Sequence, residues 1–489
     1  MIEITLSDKT YENDVYPLVK AFYPEEIIKV LGEEEQDQQN LNRMHISIHF
    51  FEDRICISLK EEDGIEDLQL LHLVKDAPKP KYKNAMKRLL YDMLSKTSGK
   101  ELPWGILTGI RPTKLVYEML EQGEKTSVIH KRMQEEYLCS DEKIAMSLRI
   151  ARREMELLED MDYQNGYSLY IGIPFCPTTC LYCSFTSYSI EKYVNLVEDY
   201  LGALIKEIEY GATCFPHKKL TTVYIGGGTP TTLTAEQLDR LLGQVKKHFN
   251  FQYVKEFCVE AGRPDSITKE KLQVLKQWGV DRISINPQSM QQKTLDLIGR
   301  HHSVEQIKEA FWLARDCGHD NINMDIILGL PGEGPEDVAD TLTHIESLNP
   351  DSLTVHTLAL KRAARLNIEK ENYSDLKASK VPDMLEMSIR YAEENDYLPY
   401  YLYRQKNMAD NLENIGYAKY GREGLYNILI MEEQQTILAL GAGGMSKFVF
   451  HAENRIERVD NVKSVTDYIG RIDEMILRKR LFIENNPQL

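Results

Sequence analysis

No apolar run in these 489 residues approaches the roughly 20 that a membrane-spanning helix needs, so no span is expected. The first residues, MIEITLSDKTYENDVY, lack the basic start and apolar stretch of a secretory signal. Cysteine is scarce, with eight residues irregularly spaced except at one place. That argues against a disulfide framework and makes a reducing cytoplasm the expected setting. Basic charge is in deficit: 59 Lys and Arg stand against 76 Asp and Glu, for a net charge of −17. Non-specific binding to nucleic acid or to an anionic membrane favours the opposite balance, so neither partner is expected. What is present is a globular composition, 42% hydrophobic and 28% charged, long enough for two or three domains.

The first part of the chain reads as mixed α and β. His45 to Leu59 alternate about a polar centre, which predicts a β-hairpin, and helical periodicity follows over Tyr82–Lys96 and Asp141–Asp160. Between them PWGILTGIRPTK, Pro103 to Lys114, reads as a packed Gly/Pro connector carrying Arg111 and Lys114. From Ser168 the pattern becomes an alternation of short strands and longer helices, six strands in all, ending near Leu360. Repeated βα units require parallel strands and right-handed crossovers, in a doubly wound sheet or a closed or partial barrel. In both, chemistry gathers at the carboxyl ends of the strands. The candidate groups obey that rule: three cysteines follow strand one, Gly226 to Pro230 follow strand two, Glu260 ends strand three, Gln288 ends strand four and Asp325 lies in strand five. The expected class is therefore α/β. An N-terminal α+β domain (1–163) precedes the six βα units (164–370) and a mainly helical region (371–489).

Cys176-Pro-Thr-Thr-Cys180-Leu-Tyr-Cys183 is a C-x3-C-x2-C triplet. Three thiolates within eight residues can close on three corners of a cuboidal iron–sulfur cluster, leaving the fourth iron without a protein ligand. An open metal position is what a catalytic site needs. Zinc is the alternative, but it usually takes a fourth Cys or His in paired spacing, and none is near. The other cysteines (Cys56, Cys139, Cys214, Cys258, Cys317) stand singly and read as buried small hydrophobes.

C-x3-C-x2-C after a strand resembles the radical S-adenosylmethionine (SAM) superfamily. The neighbours narrow it: Tyr170-Ile-Gly-Ile-Pro-Phe-Cys176, Gly226-Gly227-Gly228-Thr229-Pro230 and Asp325-Ile-Ile-Leu-Gly329-Leu-Pro331-Gly332 together resemble the oxygen-independent coproporphyrinogen III oxidase family, which includes haem chaperones. PWGILTGIRPTK, LYRQKNMADN and NILIMEEQQTILALGAGGMSK are most similar to its HemZ-type branch. The resemblance implies a partial (β/α)6 barrel core over 164–370 with the region 371–489 covering the substrate, a [4Fe–4S] cluster on Cys176, Cys180 and Cys183, and one or two molecules of SAM. It places Tyr170, Tyr182, Gly227, Gly228, Thr229, Glu260, Gln288, Arg300, Asp325, Ala359 and Met445 at cofactor-contact positions. It implies that a 5′-deoxyadenosyl radical abstracts a propionate hydrogen, CO2 and an electron depart, and coproporphyrinogen III becomes protoporphyrinogen IX in two rounds. The implied partners are a tetrapyrrole, coproporphyrinogen III or haem, and a reducing donor such as flavodoxin or ferredoxin.

Each position also has an ordinary reading. GGGTP alone is a strand-end turn and not a P-loop, since no G-K-[S/T] follows. Glu260 reads as an ion-pair partner of Arg263 or Arg282, Arg300 as a surface cation, and His356 as a core strand histidine. Tyr403, Arg404 and Lys406 form a polar, basic stretch that suits propionates or plain solvent. No residue is assigned as catalytic. Two departures separate the chain from its relatives. Phe185 stands where the oxidases carry a fourth cysteine. The stretch Asp410-Asn411-Leu-Glu-Asn-Ile-Gly-Tyr417 lacks the histidine of the chaperones. Three functions are thus open: a coproporphyrinogen dehydrogenase, a haem chaperone, or a radical enzyme acting on another tetrapyrrole such as haem.

Overall fold

The alternation from Ser168 becomes six parallel strands: β1 (Gly166–Ile173), β2 (Lys219–Gly227), β3 (Glu256–Glu260), β4 (Arg282–Ser284), β5 (Ile322–Leu328) and β6 (Ser352–Thr357). The computed structural model describes the whole chain except residues 33, 35–42, 63, 65, 73–78, 110, 360–363, 369–377, 379 and 405–411. Lys406, Asp410 and Asn411 lie outside the described residues.

Five longer helices lie between the strands, and all but the first start where the sequence provides a cap or a proline. These are α1 (Val197–Gly211), α2 (Ala235–His248), α3 (Lys269–Gln277), α4 (Val304–Asp316) and α5 (Pro335–Leu348). Thr234 with Gln237 and Ser303 with Gln306 form capping boxes, Thr268 caps α3, and Pro335 opens α5 with its φ already helical. The strands neighbour one another in chain order, with no switch point, which is the order of a barrel and not of a doubly wound sheet. The run does not close on itself. β1 pairs with β9 (Thr436–Leu440) and β6 with β8 (Asn414–Ala418), so the barrel is partial. β7 (Leu398–Tyr403), β10 (Met445–Phe450) and β11 (Arg455–Asp460) extend the sheet to eleven strands in the order β7-β8-β6-β5-β4-β3-β2-β1-β9-β10-β11.

β4 stops short of Gln288, the expected end of strand four. Pro287 has no N–H to give the ladder, and Gln288 is left-handed at φ +66°, so pairing stops at Ser284 and resumes only as one bridge from Gln288 to Ile326.

The chain divides into two compact units, Met1–Arg152 with Tyr403–Glu413, and Arg153–Leu402 with Asn414–Leu489. In the first, the expected hairpin is Met44–Phe50 against Arg54–Glu61, part of a five-stranded sheet whose core includes Ile2, Ile4, Phe22, Ile46, Ile57 and Leu90. The two expected helices run Lys79–Ser98 and Asp141–Glu159. Pro103 to Lys114 is a packed connector, with Trp104 and Ile106 each 1% exposed. Trp104 Nε1 donates to Glu413 Oε2 at 2.8 Å, and Lys143 pairs with the same carboxylate.

Candidate active site

A parallel barrel buries both strand faces, so its strands should be apolar throughout. They are buried almost throughout, though not wholly apolar, since Glu256, Arg282 and Asn323 lie among the buried positions. Besides the terminal residues of β2, the only partly exposed strand positions are Tyr170 in β1, Tyr224 in β2, Glu260 in β3, Asp325 in β5 and His356 in β6. All five are polar or aromatic, and together they define an unfilled lumen.

Tyr224 and Tyr426 stack at 4.5 Å, and Tyr170 lies 6.3 Å from Tyr224, its register partner in β1. Tyr224 donates to Glu260 Oε1 at 2.5 Å. Burial nonetheless pushes the Glu260 carboxyl up to about 7. Asp325 moves the other way. Burial works to raise it, but His356, 3.7 Å away, and the amide of Asn323, 2.7 Å away, hold it below the usual carboxylate range. The lumen thus holds two carboxyls with different proton affinities. His356 is therefore a partner of Asp325 and not an ordinary core residue. Neither expected cation pairs with Glu260: Arg263 pairs with Asp265, and Arg282 donates to Arg422 O.

The cysteine loop leaves β1 at Phe175–Cys176, and Tyr188–Ser189 pairs with that segment to close the loop. GGGTP fastens its base: Gly228 N donates to Ile173 O and Thr229 N to Phe175 O, both at 2.7 Å. A Cβ on Gly228 would stand 2.5 Å from Phe175 O, so only glycine allows this approach. Gly227 is left-handed at φ +108°. Thr229 Oγ1 donates to Cys176 Sγ at 3.4 Å. Burial pushes the Cys176 thiol up to about 11 and raises Cys183 too, and a bound metal cation favours the thiolate of each. Among the described residues no three His, Cys, Asp or Glu side chains converge on a single metal ion. A cuboidal cluster asks instead for thiolates spread about its corners. Of the lone cysteines, Cys139, Cys214 and Cys258 are buried as expected, while Cys56 and Cys317 are partly exposed.

Arg300 is 4% exposed and is no surface cation. It donates to Asn286 O and reaches Tyr182 Oη at 3.4 Å, which ties the end of β4 to the cysteine loop. Around it Arg300 Nε, Asn286 Oδ1, Gln288 Oε1 and Ser284 Oγ are buried with no hydrogen-bond partner. Four unsatisfied polar atoms at one strand end are costly unless a polar ligand satisfies them. A left-handed glutamine is a further strain of the kind kept at binding sites.

A cavity of about 110 Å³ is lined by Tyr170, Ile173, Phe185, Gly227, Ala442 and Gly443. Its glycine loop is held from behind by Glu207, which accepts from Gly441 N at 2.8 Å, Tyr468 Oη at 2.6 Å and Lys479 Nζ at 2.8 Å. Met445 opens β10, and Ala359 lies just past β6. Tyr403 and Arg404 belong to the first compact unit, where Arg404 donates to Leu107 O at 2.6 Å. Sequence reasoning missed Tyr224, Tyr426 and Glu207. The alignment of Tyr170 with Tyr224 in successive strands was the one available signal.

Residues 170–345 match the radical SAM superfamily. The chain is 43% identical over 406 residues to the oxygen-independent coproporphyrinogen-III oxidase-like protein HemZ of Bacillus subtilis, spanning 82% of this chain and 81% of that one. It is 31% identical over 310 residues to the heme chaperone HemW of the same organism, spanning 63% and 76%. The solved structure of coproporphyrinogen III oxidase HemN from Escherichia coli matches with a TM-score of 0.52 at 25% identity, over 65% of this chain and 72% of that one. With that fold and that sequence match, the chain belongs to the oxygen-independent coproporphyrinogen III oxidase-like family of radical SAM proteins, whose cofactors are a [4Fe–4S] cluster and SAM.

Proposed function

We propose that the protein is a coproporphyrinogen dehydrogenase that converts two propionates of coproporphyrinogen III to vinyl groups. The observation that carries it is the lumen lined by Tyr170, Tyr224, Glu260, Asp325 and His356, one from each of five strands, opening toward a loop of three cysteines. When bound, the cluster and SAM supply the one-electron cleavage and hydrogen abstraction. The chain's share is to hold, orient and exclude water. Cys176, Cys180 and Cys183 hold three irons. Tyr170, Gly227, Gly228, Thr229, Ala359 and Met445 wall the SAM. Glu260 and Asp325 accept from its ammonium and hydroxyl donors. Gln288 and Arg300 meet the polar groups that their unsatisfied atoms lack. Tyr403, Arg404 and Lys406 are proposed on the substrate side, and a ferredoxin or flavodoxin as electron donor.

Phe185, 71% exposed where the oxidases carry a fourth cysteine, favours a second reading, a haem chaperone. The test is an anaerobic assay of reconstituted protein with SAM, a reductant and coproporphyrinogen III, read by mass spectrometry. The expected result is loss of two CO2 per macrocycle, matched to 5′-deoxyadenosine. Deoxyadenosine without decarboxylation removes this substrate, and stoichiometric retention of added haem supports the chaperone.

A further inference from the structure

Arg263 has no part in the reading above, yet it is tightly held. It follows β3 in the turn before Pro264 and is 3% exposed. Asp265 closes one edge of its guanidinium, with Nε to Oδ1 at 2.9 Å and Nη2 to Oδ2 at 2.6 Å. The remaining nitrogen reaches the cysteine loop: Nη1 donates to Thr178 Oγ1 at 3.0 Å and to Cys180 Sγ at 3.5 Å. Thr178 in turn donates to Gly299 O at 2.9 Å, so the guanidinium meets a fixed loop. The hydrogen bond to Cys176 comes from a neutral donor, the Thr229 hydroxyl. A permanent charge is therefore held against the Cys180 sulfur, which Arg300 also faces.

We propose that Arg263 sets the reduction potential of the cluster, through an N–H···S bond and a full positive charge at Cys180 Sγ. It acts through the ligand, as a positioning residue, and the inference rests on Cys180 being one of the cluster's thiolates. The sign follows from charge. Reduction adds one electron to the cluster and its thiolates, so a donor and a cation at sulfur stabilise the reduced form more and raise the potential. Asp265 orients the guanidinium and partly cancels its charge, so the pair is a tuned contact and not a bare cation.

The experiment uses the full chain, reconstituted anaerobically without SAM, titrated with dithionite and read by the EPR signal of the reduced cluster. With Arg263→Met, the ratio of reduced to oxidised cluster at the wild-type midpoint falls about tenfold, a downward shift of about 59 mV for a one-electron couple. With Asp265→Asn, which leaves the Arg263 charge uncompensated, the midpoint moves up. A loosened loop would move both variants the same way. A wild-type protein without a four-iron cluster overturns the ligand assignment. A wild-type cluster with an unchanged midpoint in Arg263→Met, or with both variants shifting in one direction, overturns the role of Arg263 alone. Should Arg263→Met retain no cluster, Asp265→Asn decides: a higher midpoint supports the role, and an unchanged or lower one refutes it.

Discussion

Replacing Lys479 by Met tests how the glycine loop at the cavity is held. Lys479 on α6 (Ile472–Glu484) and Glu207 on α1 are both 0% exposed and pair at 2.8 Å. Lys479 also donates to Asn461 Oδ1 at 2.6 Å. Without the ammonium, the Glu207 carboxylate stays buried against three neutral donors, Gly441 N, Tyr468 Oη and Asn461 Nδ2. Breaking a buried pair from one side costs about 3–5 kcal/mol. At about 2 °C per kcal/mol for a unit of this size, Tm should fall by about 6–10 °C in a circular-dichroism melt. Glu207→Gln keeps an acceptor for Gly441 but strands the ammonium, so it should cost a similar amount. The double variant, Glu207→Gln with Lys479→Met, buries no net charge and should cost at least about 2 kcal/mol less than the sum of the singles. Because Gly441 leads into Ala442 and Gly443 at the cavity, SAM affinity should drop in each single variant and partly return in the double. Single variants costing under about 1 kcal/mol, or strict additivity, would refute the reasoning.

Three further outcomes are expected. Burial holds Glu260 at about 7 against 4.5 for an ordinary glutamate carboxyl, so the folded protein binds that proton more tightly than the unfolded chain. The stability it lends is complete below pH 4.5 and is lost as pH rises through about 7. Glu260→Gln should gain roughly 2–3 kcal/mol on wild type between pH 5 and pH 8 in urea denaturation, and parallel pH profiles would contradict the shift. Gln288→Gly relaxes the φ of +66° but removes the buried amide, so the fold should persist while the SAM Kd rises about tenfold, the worth of one hydrogen bond to a charged ligand. An unchanged Kd takes Gln288 out of the site. Gly228→Ala drives a methyl to 2.5 Å from Phe175 O and should lower the iron bound per chain, whereas Gly202→Ala, with nothing within 4 Å of its added Cβ, should not. Equal iron in both would contradict the fastening of the loop by GGGTP.

The six strands were legible because parallel strands buried on both faces leave continuous apolar runs, and the helices because Thr234, Thr268, Ser303 and Pro335 mark their starts. The truncation of β4 followed from Pro287, a signal present in the sequence but outweighed by the apolar run before it. The placement of β8 to β11 on the two ends of the sheet was not legible. β9 pairs with β1 at the opposite end of the barrel run, Ile437 with Ser168, β8 returns antiparallel onto β6, and LALGAGGMSK reads locally as a loop. At the site, spacing revealed the cysteines and position revealed Glu260, Gln288 and Asp325. Tyr426, Glu207 and Arg263 carry no local pattern, because each acts on a group brought to it only by the fold.

The central claim is that three cysteines hold a catalytic cluster, and its most direct measurement is iron and sulfide analysis of the anaerobically reconstituted chain beside a variant with Cys176, Cys180 and Cys183 all replaced by Ala. The account predicts about four irons and four sulfides per wild-type chain, a reduced EPR signal that changes on adding SAM, and neither cluster nor signal in the variant. A cluster that survives the triple replacement, or a wild-type chain that binds none, contradicts it.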